Sequence, residues 1–307
     1  MKTRILFILL IGVLICSCDK EWKGDGDEEK QRITVDGEKR TYRVYTPANY
    51  DASKEYPLIL TLHGRFGTAK GMDKFSGMNP IADEKEFIVV YPDGYKRSWA
   101  DDRQFGPAFE DGIDDYAFFN ALLDQLIADY PIDEDRIYAC GMSNGGFMSL
   151  SLACHLSDRI AAVAAVTGAM GPGPEDYCNE AKPTAILLIG GVDDPTVPYD
   201  GGDISEGSTT IGFPAAFEFW RDQNQCVDTV KDSVWNDMDD SDGTTVITHS
   251  HISCDSMVNV VLYEVEGMGH TWPQGAQYLK EDRIGKVSQE FNGARTIADF
   301  LLSFELK

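Results

Sequence analysis

Beyond residue 32 the chain alternates short apolar, β-rich runs with stretches whose apolar residues recur at helical spacing. The clearest runs are 58–62, 87–91, 137–140, 160–166, 185–189 and 258–265. Most are continuous rather than alternating, as strands covered on both faces must be. Between the second and third runs, Tyr116, Phe119, Leu122, Leu123, Leu126 and Ile127 fall three and four residues apart until Pro131 ends the pattern. A last helix is expected from about Ser288 into 300–304, with Ala294 and Ile297 on its inner face. Strands in turn with helices predict an α/β architecture, one mostly parallel central sheet with helices on both faces. Segments 41–45 and 234–251, the latter with Asp242-Gly243 between alternating arms, read as hairpin material added to that sheet. No repeat, low-complexity block or composition shift divides 32–307, which reads as a single domain.

The residues ahead of that domain have a different pattern. Lys2 and Arg4 precede an apolar run over 5–15 and then small residues, the layout of a secretory signal and too short to span a bilayer comfortably. Ile15, Cys16, Ser17 and Cys18 resemble the lipobox of bacterial lipoproteins, in which cleavage leaves a terminal cysteine that receives lipid. That reading makes 1–17 a signal peptide, Cys18 the lipidation site and 18–31 a polar, acidic, flexible tether. Ordinary cleavage nearby would instead give a soluble extracellular protein, and both alternatives imply export.

Composition then removes several classes. A chain of 307 residues with 43% apolar content can bury a large core, which excludes disorder and fibrous structure. With 51 Asp and Glu against 27 Lys and Arg the formal charge is -24, and loss of Lys2 and Arg4 with the leader takes it two units further, to -26. Such a surface repels a phosphate backbone, so nucleic acid is excluded as a partner, and membrane contact is expected through the lipid alone. Five cysteines lie beyond the tether, enough in an oxidising compartment for two bridges and one thiol. Connectivity is not fixed by sequence. The favoured pairs are Cys154 with Cys178 and Cys226 with Cys254, each closing a loop of under thirty residues and each worth about 3 to 4 kcal/mol by chain entropy. Cys140 ends an apolar run and reads as a small buried hydrophobe.

Gly141-Met142-Ser143-Asn144-Gly145 follows one expected strand and precedes a helical stretch over 147–155, which is the strand-turn-helix setting of a G-x-S-x-G nucleophile elbow. The Asn144 backbone N–H then stands at a helix N-terminus, where negative charge is stabilised. A serine hydroxyl needs a base and a residue to orient that base. Of five histidines, His270 follows the 258–265 strand in a glycine-flanked loop and is the expected base. His63, His155, His249 and His251 read as turn, structural or exposed residues, and His249 with His251 lacks a third metal ligand. The acid should lie between Ser143 and His270 in chain order at a strand end. Asp194 is the choice and neighbouring Asp193 the competitor. His63-Gly64-Arg65 ends the 58–62 run, where the Arg65 backbone N–H is placed to be the second oxyanion donor. Trp272 beside the base and Trp99 read either as aromatic walls of a substrate cleft or as core.

These landmarks, with Tyr91-Pro92-Asp93-Gly94, Asp114-Asp115, Asp194-Pro195-Thr196-Val197-Pro198-Tyr199 and Gly269-His270-Thr271-Trp272-Pro273, span about residues 32–305. Together they resemble the secreted esterases grouped with polyhydroxybutyrate depolymerases and with feruloyl and acetylxylan esterases of carbohydrate esterase family 1. The resemblance implies an α/β-hydrolase fold, a triad carried by Ser143, Asp194 and His270, and no metal or cofactor. It also implies the Cys226–Cys254 bridge. Two departures stand out: Arg65, where relatives often carry cysteine or glycine, and Gly190 before Gly191, where relatives usually have His-Gly. The expected activity is hydrolysis of feruloyl or acetyl esters of plant polysaccharide through an acyl-enzyme. The alternatives are cleavage of hydroxyalkanoate oligomers and, from another class, a non-catalytic surface binding protein that kept the fold.

Overall fold

A computed structural model describes residues 29–204, 207–228, 230–235, 238–239 and 241–306. The expected leader, Cys18 and the tether as far as residue 28 lie outside the described residues. The strands are β1 (Glu29–Val35), β2 (Glu38–Tyr45), β3 (Tyr56–Leu62), β4 (Ile88–Pro92), β5 (Ile132–Met142), β6 (Ala162–Val166), β7 (Ala185–Gly191), β8 (Gly202–Asp203), β9 (Thr209–Thr210), β10 (Lys231–Val234), β11 (Thr245–His251) and β12 (Val260–Glu266). The helices are α1 (Ala69–Ser76), α2 (Met78–Lys85), α3 (Pro107–Glu110), α4 (Asp115–Asp129), α5 (Asn144–His155), α6 (Pro174–Tyr177), α7 (Phe213–Gln223), α8 (Glu281–Ile284) and α9 (Gly293–Leu301).

Ten of these strands form one sheet in the order β1-β2-β4-β3-β5-β6-β7-β12-β11-β10. Its six central strands, β4 through β12 in that order, run parallel, and antiparallel strands extend both edges. The continuous apolar runs are explained by burial on both faces, with every residue of β3, β4, β6 and β7 buried. Leu58, Leu60 and Leu62 face a core shared with Phe119 and Leu122 of α4, Phe147 of α5 and Trp220 of α7. Ile59 and Val89 face the other core, shared with Met72 of α1, Ile81 of α2 and Ile297 of α9. This is the α/β-hydrolase arrangement.

Four boundaries differ from the reading of the sequence. β1 starts at Glu29, so three residues taken for tether join the sheet edge, paired with β2 across a turn in which Asp36 and Gly37 have φ of 51° and 84°. The last helix starts at Gly293 rather than near Ser288, because Asn292 caps it by accepting the Arg295 N–H at 2.9 Å. Ser288 is instead fully buried and bonded to Thr244 Oγ1 at 2.8 Å. The 234–251 segment is no tight hairpin: β10 and β11 pair, but the Asp242 carboxylate is spent accepting the Thr244 N–H at 2.6 Å where β11 begins. The 160–166 run becomes strand only from Ala162. Cys154 bonds Cys178 and Cys226 bonds Cys254, while Cys140 is a free thiol, fully buried beside Thr61 and pushed up to about 12 by burial.

Candidate active site

β5 ends at Met142 and α5 begins at Asn144, leaving Ser143 alone on the turn with φ 56° and ψ −124°. Such a backbone costs a non-glycine residue on the order of 1 to 3 kcal/mol and persists only where its surroundings enforce it. The two flanking glycines do so by close approach. A Cβ on Gly141 would stand 2.5 Å from the Gly145 carbonyl, and one on Gly145 would collide with the carbonyl of Leu62 in β3. The Ser143 N–H is held by Val166 O at 2.8 Å, which ties the elbow to β6.

The exits of β7 and β12 carry the other two groups. Asp194 is buried, and its Oδ1 accepts the N–H groups of Thr196 at 2.7 Å and Val197 at 2.9 Å. Its Oδ2 lies 2.7 Å from Nδ1 of His270, itself only 5% exposed. A carboxylate bound at Nδ1 fixes the proton there and leaves Nε2 as the acceptor of the ring. Asp193 is exposed, and the imidazole partner is Asp194. The His270 main chain is clamped on both sides, its N–H by Ile284 O at 2.5 Å and its C=O by the Tyr278 hydroxyl at 2.8 Å. Gly269 is required there, since a Cβ would collide with Ile284 O. The Gly190 departure also has a physical reason: the Phe213 ring of α7 fills the space where a side chain would go, with a Cβ at 190 only 2.7 Å from it.

Ser143, Asp194 and His270 thus follow strands β5, β7 and β12 and share the carboxyl edge of the parallel sheet. Asp194 and His270 are joined directly. Ser143 Oγ makes no hydrogen bond among the described residues, a state common before substrate tightens such contacts.

The exit of β3 lies against the elbow, for a Cβ on Gly64 would stand 3.3 Å from Ser143 Cβ. The Arg65 guanidinium lies 4.9 Å from the Phe66 ring centre and 4.8 Å from that of Phe105. His63 is a buried turn residue: Gly94 N–H donates to its Nε2 at 2.9 Å, and its Nδ1 faces Gly64 O at 2.8 Å. Burial pushes its pKa down to about 4, overcoming the opposing hydrogen bond to Gly64. Asn144, as the first residue of α5, has a main-chain N–H with no partner inside the helix.

Neither tryptophan forms a cleft wall. Trp99 is 0% exposed, packed against Phe119 and His63, and Trp272 is 1% exposed, packed edge-on to Phe75. Large planar side chains fill cores as readily as clefts, and these two fill cores. Exposed apolar side chains stand instead on the connections that follow β3, β4, β7 and β12, among them Phe66, Phe109 of α3, Val192, Tyr278 and Leu279. Sequence reading passed over them because nothing in their spacing marks a loop tip. His155 pairs with Asp102 at 2.9 Å, His249 with Asp232 at 2.7 Å, and buried His251 stacks on Phe217. Among the described residues no cluster of three or more His, Cys, Asp or Glu is arranged to hold a metal.

Residues 34–255 match the family described as "Putative esterase". The chain is 29% identical over 289 residues to "Putative esterase NocK" of Nocardia uniformis subsp. tsuyamanensis, covering 91% of this chain and 83% of that one. It is 31% identical over 210 residues to "Probable feruloyl esterase C" of Aspergillus terreus, covering 65% and 72%. Among solved structures, a CE1 ferulic acid esterase of the anaerobic fungus Anaeromyces mucronatus superposes with a TM-score of 0.53 at 20% identity over 80% and 85%, a likeness of fold. The matched span takes in the elbow, Asp194 and most of the sheet that positions them, and the chain belongs to this esterase family.

Proposed function

We propose that the protein is an exported serine esterase that removes feruloyl or acetyl groups from plant polysaccharide through an acyl-enzyme. The observation that carries this reading is the buried Asp194–His270 pair, joined at 2.7 Å at the same sheet edge as a serine held in elbow geometry. Ser143 Oγ attacks the ester carbonyl while His270 Nε2 takes its proton, and Asp194 stabilises the imidazolium through Nδ1–H. The backbone N–H groups of Asn144 and Arg65 hold the oxyanion. His270 then returns the proton to the departing alcohol, and water repeats the sequence on the acyl-enzyme.

Exposed Phe66, Phe109, Tyr278 and Leu279, on the connections that follow β3, β4 and β12, would suit a phenolic acyl group, in line with the name of the Aspergillus terreus relative. Two disulfides support an oxidising compartment, and with the leader and Cys18 they support a lipoprotein anchored at the periplasmic or outer face. Three experiments test the proposal. Hydrolysis of p-nitrophenyl acetate should vanish in Ser143→Ala, and equal rates in the two proteins would refute the nucleophile. Feruloylated arabinoxylan, acetylated xylan and hydroxybutyrate oligomers, incubated in parallel, should release ferulate or acetate. Release of hydroxybutyrate alone would replace the polysaccharide by a polyester. For the anchor, Cys18→Ala should free the enzyme from membranes with its specific activity intact.

A further inference from the structure

The two main-chain donors of the proposed oxyanion hole come from different elements, the loop after β3 and the start of α5, and one buried residue is bonded to both. The Trp99 indole N–H donates to the carbonyl of His63 at 2.9 Å, immediately before Gly64 and Arg65. Its main-chain N–H donates to Asn144 Oδ1 at 2.9 Å, and its carbonyl accepts from Asn144 Nδ2 at 3.1 Å. The same Nδ2 donates to Asp101 Oδ2 at 2.6 Å. Asn144 therefore uses its whole carboxamide to grip the 99–101 segment, while its backbone N–H stands beside Ser143.

That segment is itself anchored from behind. Ala100 N–H is held by Asp115 Oδ2 at 2.8 Å, and Asp115 is paired at 2.7 Å with Arg40, the two side chains 0% and 3% exposed. Asp101 is bonded to Arg103 through Nε at 2.8 Å and Nη2 at 2.6 Å. The Arg103 guanidinium in turn lies 3.6 Å from the centre of the Phe147 ring on α5. Packing alone would need only an aromatic ring at 99. The hydrogen bonds need this indole and this carboxamide.

We propose that Trp99 and the Asn144 side chain are positioning residues that together set the spacing between the Arg65 and Asn144 amides. The proposal rests on the serine-esterase reading above. An oxyanion exists only in the transition state, so misplacing its donors by a fraction of an ångström lowers kcat while leaving ground-state binding nearly untouched.

Trp99→Phe keeps a ring and removes only the indole N–H, and Asn144→Ala keeps the backbone donor and removes the carboxamide. Each should lower kcat about 10-fold or more with KM within about twofold. The inhibition constant of a trifluoromethyl ketone, which forms a tetrahedral serine adduct, should rise by the same factor. The double variant should be little worse than the poorer single one, because both changes break the same strut. Phe119→Leu, which disturbs packing against Trp99 and none of these bonds, should lower Tm and leave the inhibition constant unchanged. A folded Trp99→Phe with kcat and inhibition constant within twofold of wild type would overturn the proposal. So would full additivity, or a ketone inhibition constant that follows Tm across all variants. If Trp99→Phe does not fold, Asn144→Ala decides by the same measures. Activity surviving in Ser143→Ala would instead refute the serine reading itself, whereas an inactive Ser143→Ala beside a normal Trp99→Phe would refute only the strut.

Discussion

The two halves of the candidate site are built in different ways. On the acid–base side, at the exits of β7 and β12, the functional groups touch each other, and backbone contacts at Gly191 and Gly269 that no Cβ could enter set their loops. On the oxyanion side, at the exits of β3, β4 and β5, the proposed donors are main-chain amides, and a buried side-chain network of Trp99, Asn144, Asp101 and Arg103 holds their supports together. In the proposed mechanism one half depends on the identity of a few reacting groups, the other on groups that never meet substrate. Damage should therefore be nearly complete in the first and graded in the second.

The largest expected effect is on the acid–base side. Asp194→Asn should keep the fold yet lower kcat by about four orders of magnitude, because an amide no longer fixes the tautomer of His270, and stopped-flow or long-time hydrolysis assays measure the residue. Gly269→Ala should follow. Its methyl group meets Ile284 O, so the His270 loop must shift, at about 1 to 3 kcal/mol of stability and on the order of 100-fold in rate. Thermal melts and kcat read both together. If Gly269→Ala proved milder than Trp99→Phe, the contrast between the halves would be reversed.

A pH scan sharpens the oxyanion side. His63 is neutral when folded down to about pH 4, whereas its unfolded form takes up a proton near pH 6.5. Between those values the unfolded chain binds the extra proton, so stability is complete above the upper value and falls as pH drops toward the lower one. The loss is up to about 3 kcal/mol. His63→Gln should melt at a lower temperature at neutral pH and show a flatter dependence of Tm on pH between 7 and 4. The smallest effect is expected for Asp193→Asn, which should stay within about twofold of wild-type kcat/KM, since its side chain is exposed and the imidazole is bonded to Asp194 instead.

The same contrast governs what the sequence makes legible. Ser143, Asp194 and His270 stand out because the proposed chemistry demands particular residue types, and because each follows an apolar strand, in the chain order serine, acid, histidine. The central strands are equally plain, since burial on both faces leaves a continuous apolar run. Trp99 and Trp272 are ambiguous in one dimension because a ring at a strand exit can face a cleft or a core, and only tertiary packing decides. The carboxamide of Asn144 leaves no trace at all, as its partners lie more than forty residues away. Asp36-Gly37 is the opposite case: the pair is a strong turn signal, but the residues of β1 are too polar to resemble the interior strands.

Among the described residues a single cysteine, Cys140, is unpaired, and it lends itself to a practical use. Cys140 is sealed in the strand beneath the elbow with a thiol that burial holds protonated, so in the native fold this sulfur is closed to alkylating reagents. Opening the sheet exposes that sulfur, and each molecule that unfolds then takes up a label at Cys140. Counting molecules labelled there over time becomes a clock for unfolding of the sheet core, set inside the strand that leads to the proposed nucleophile.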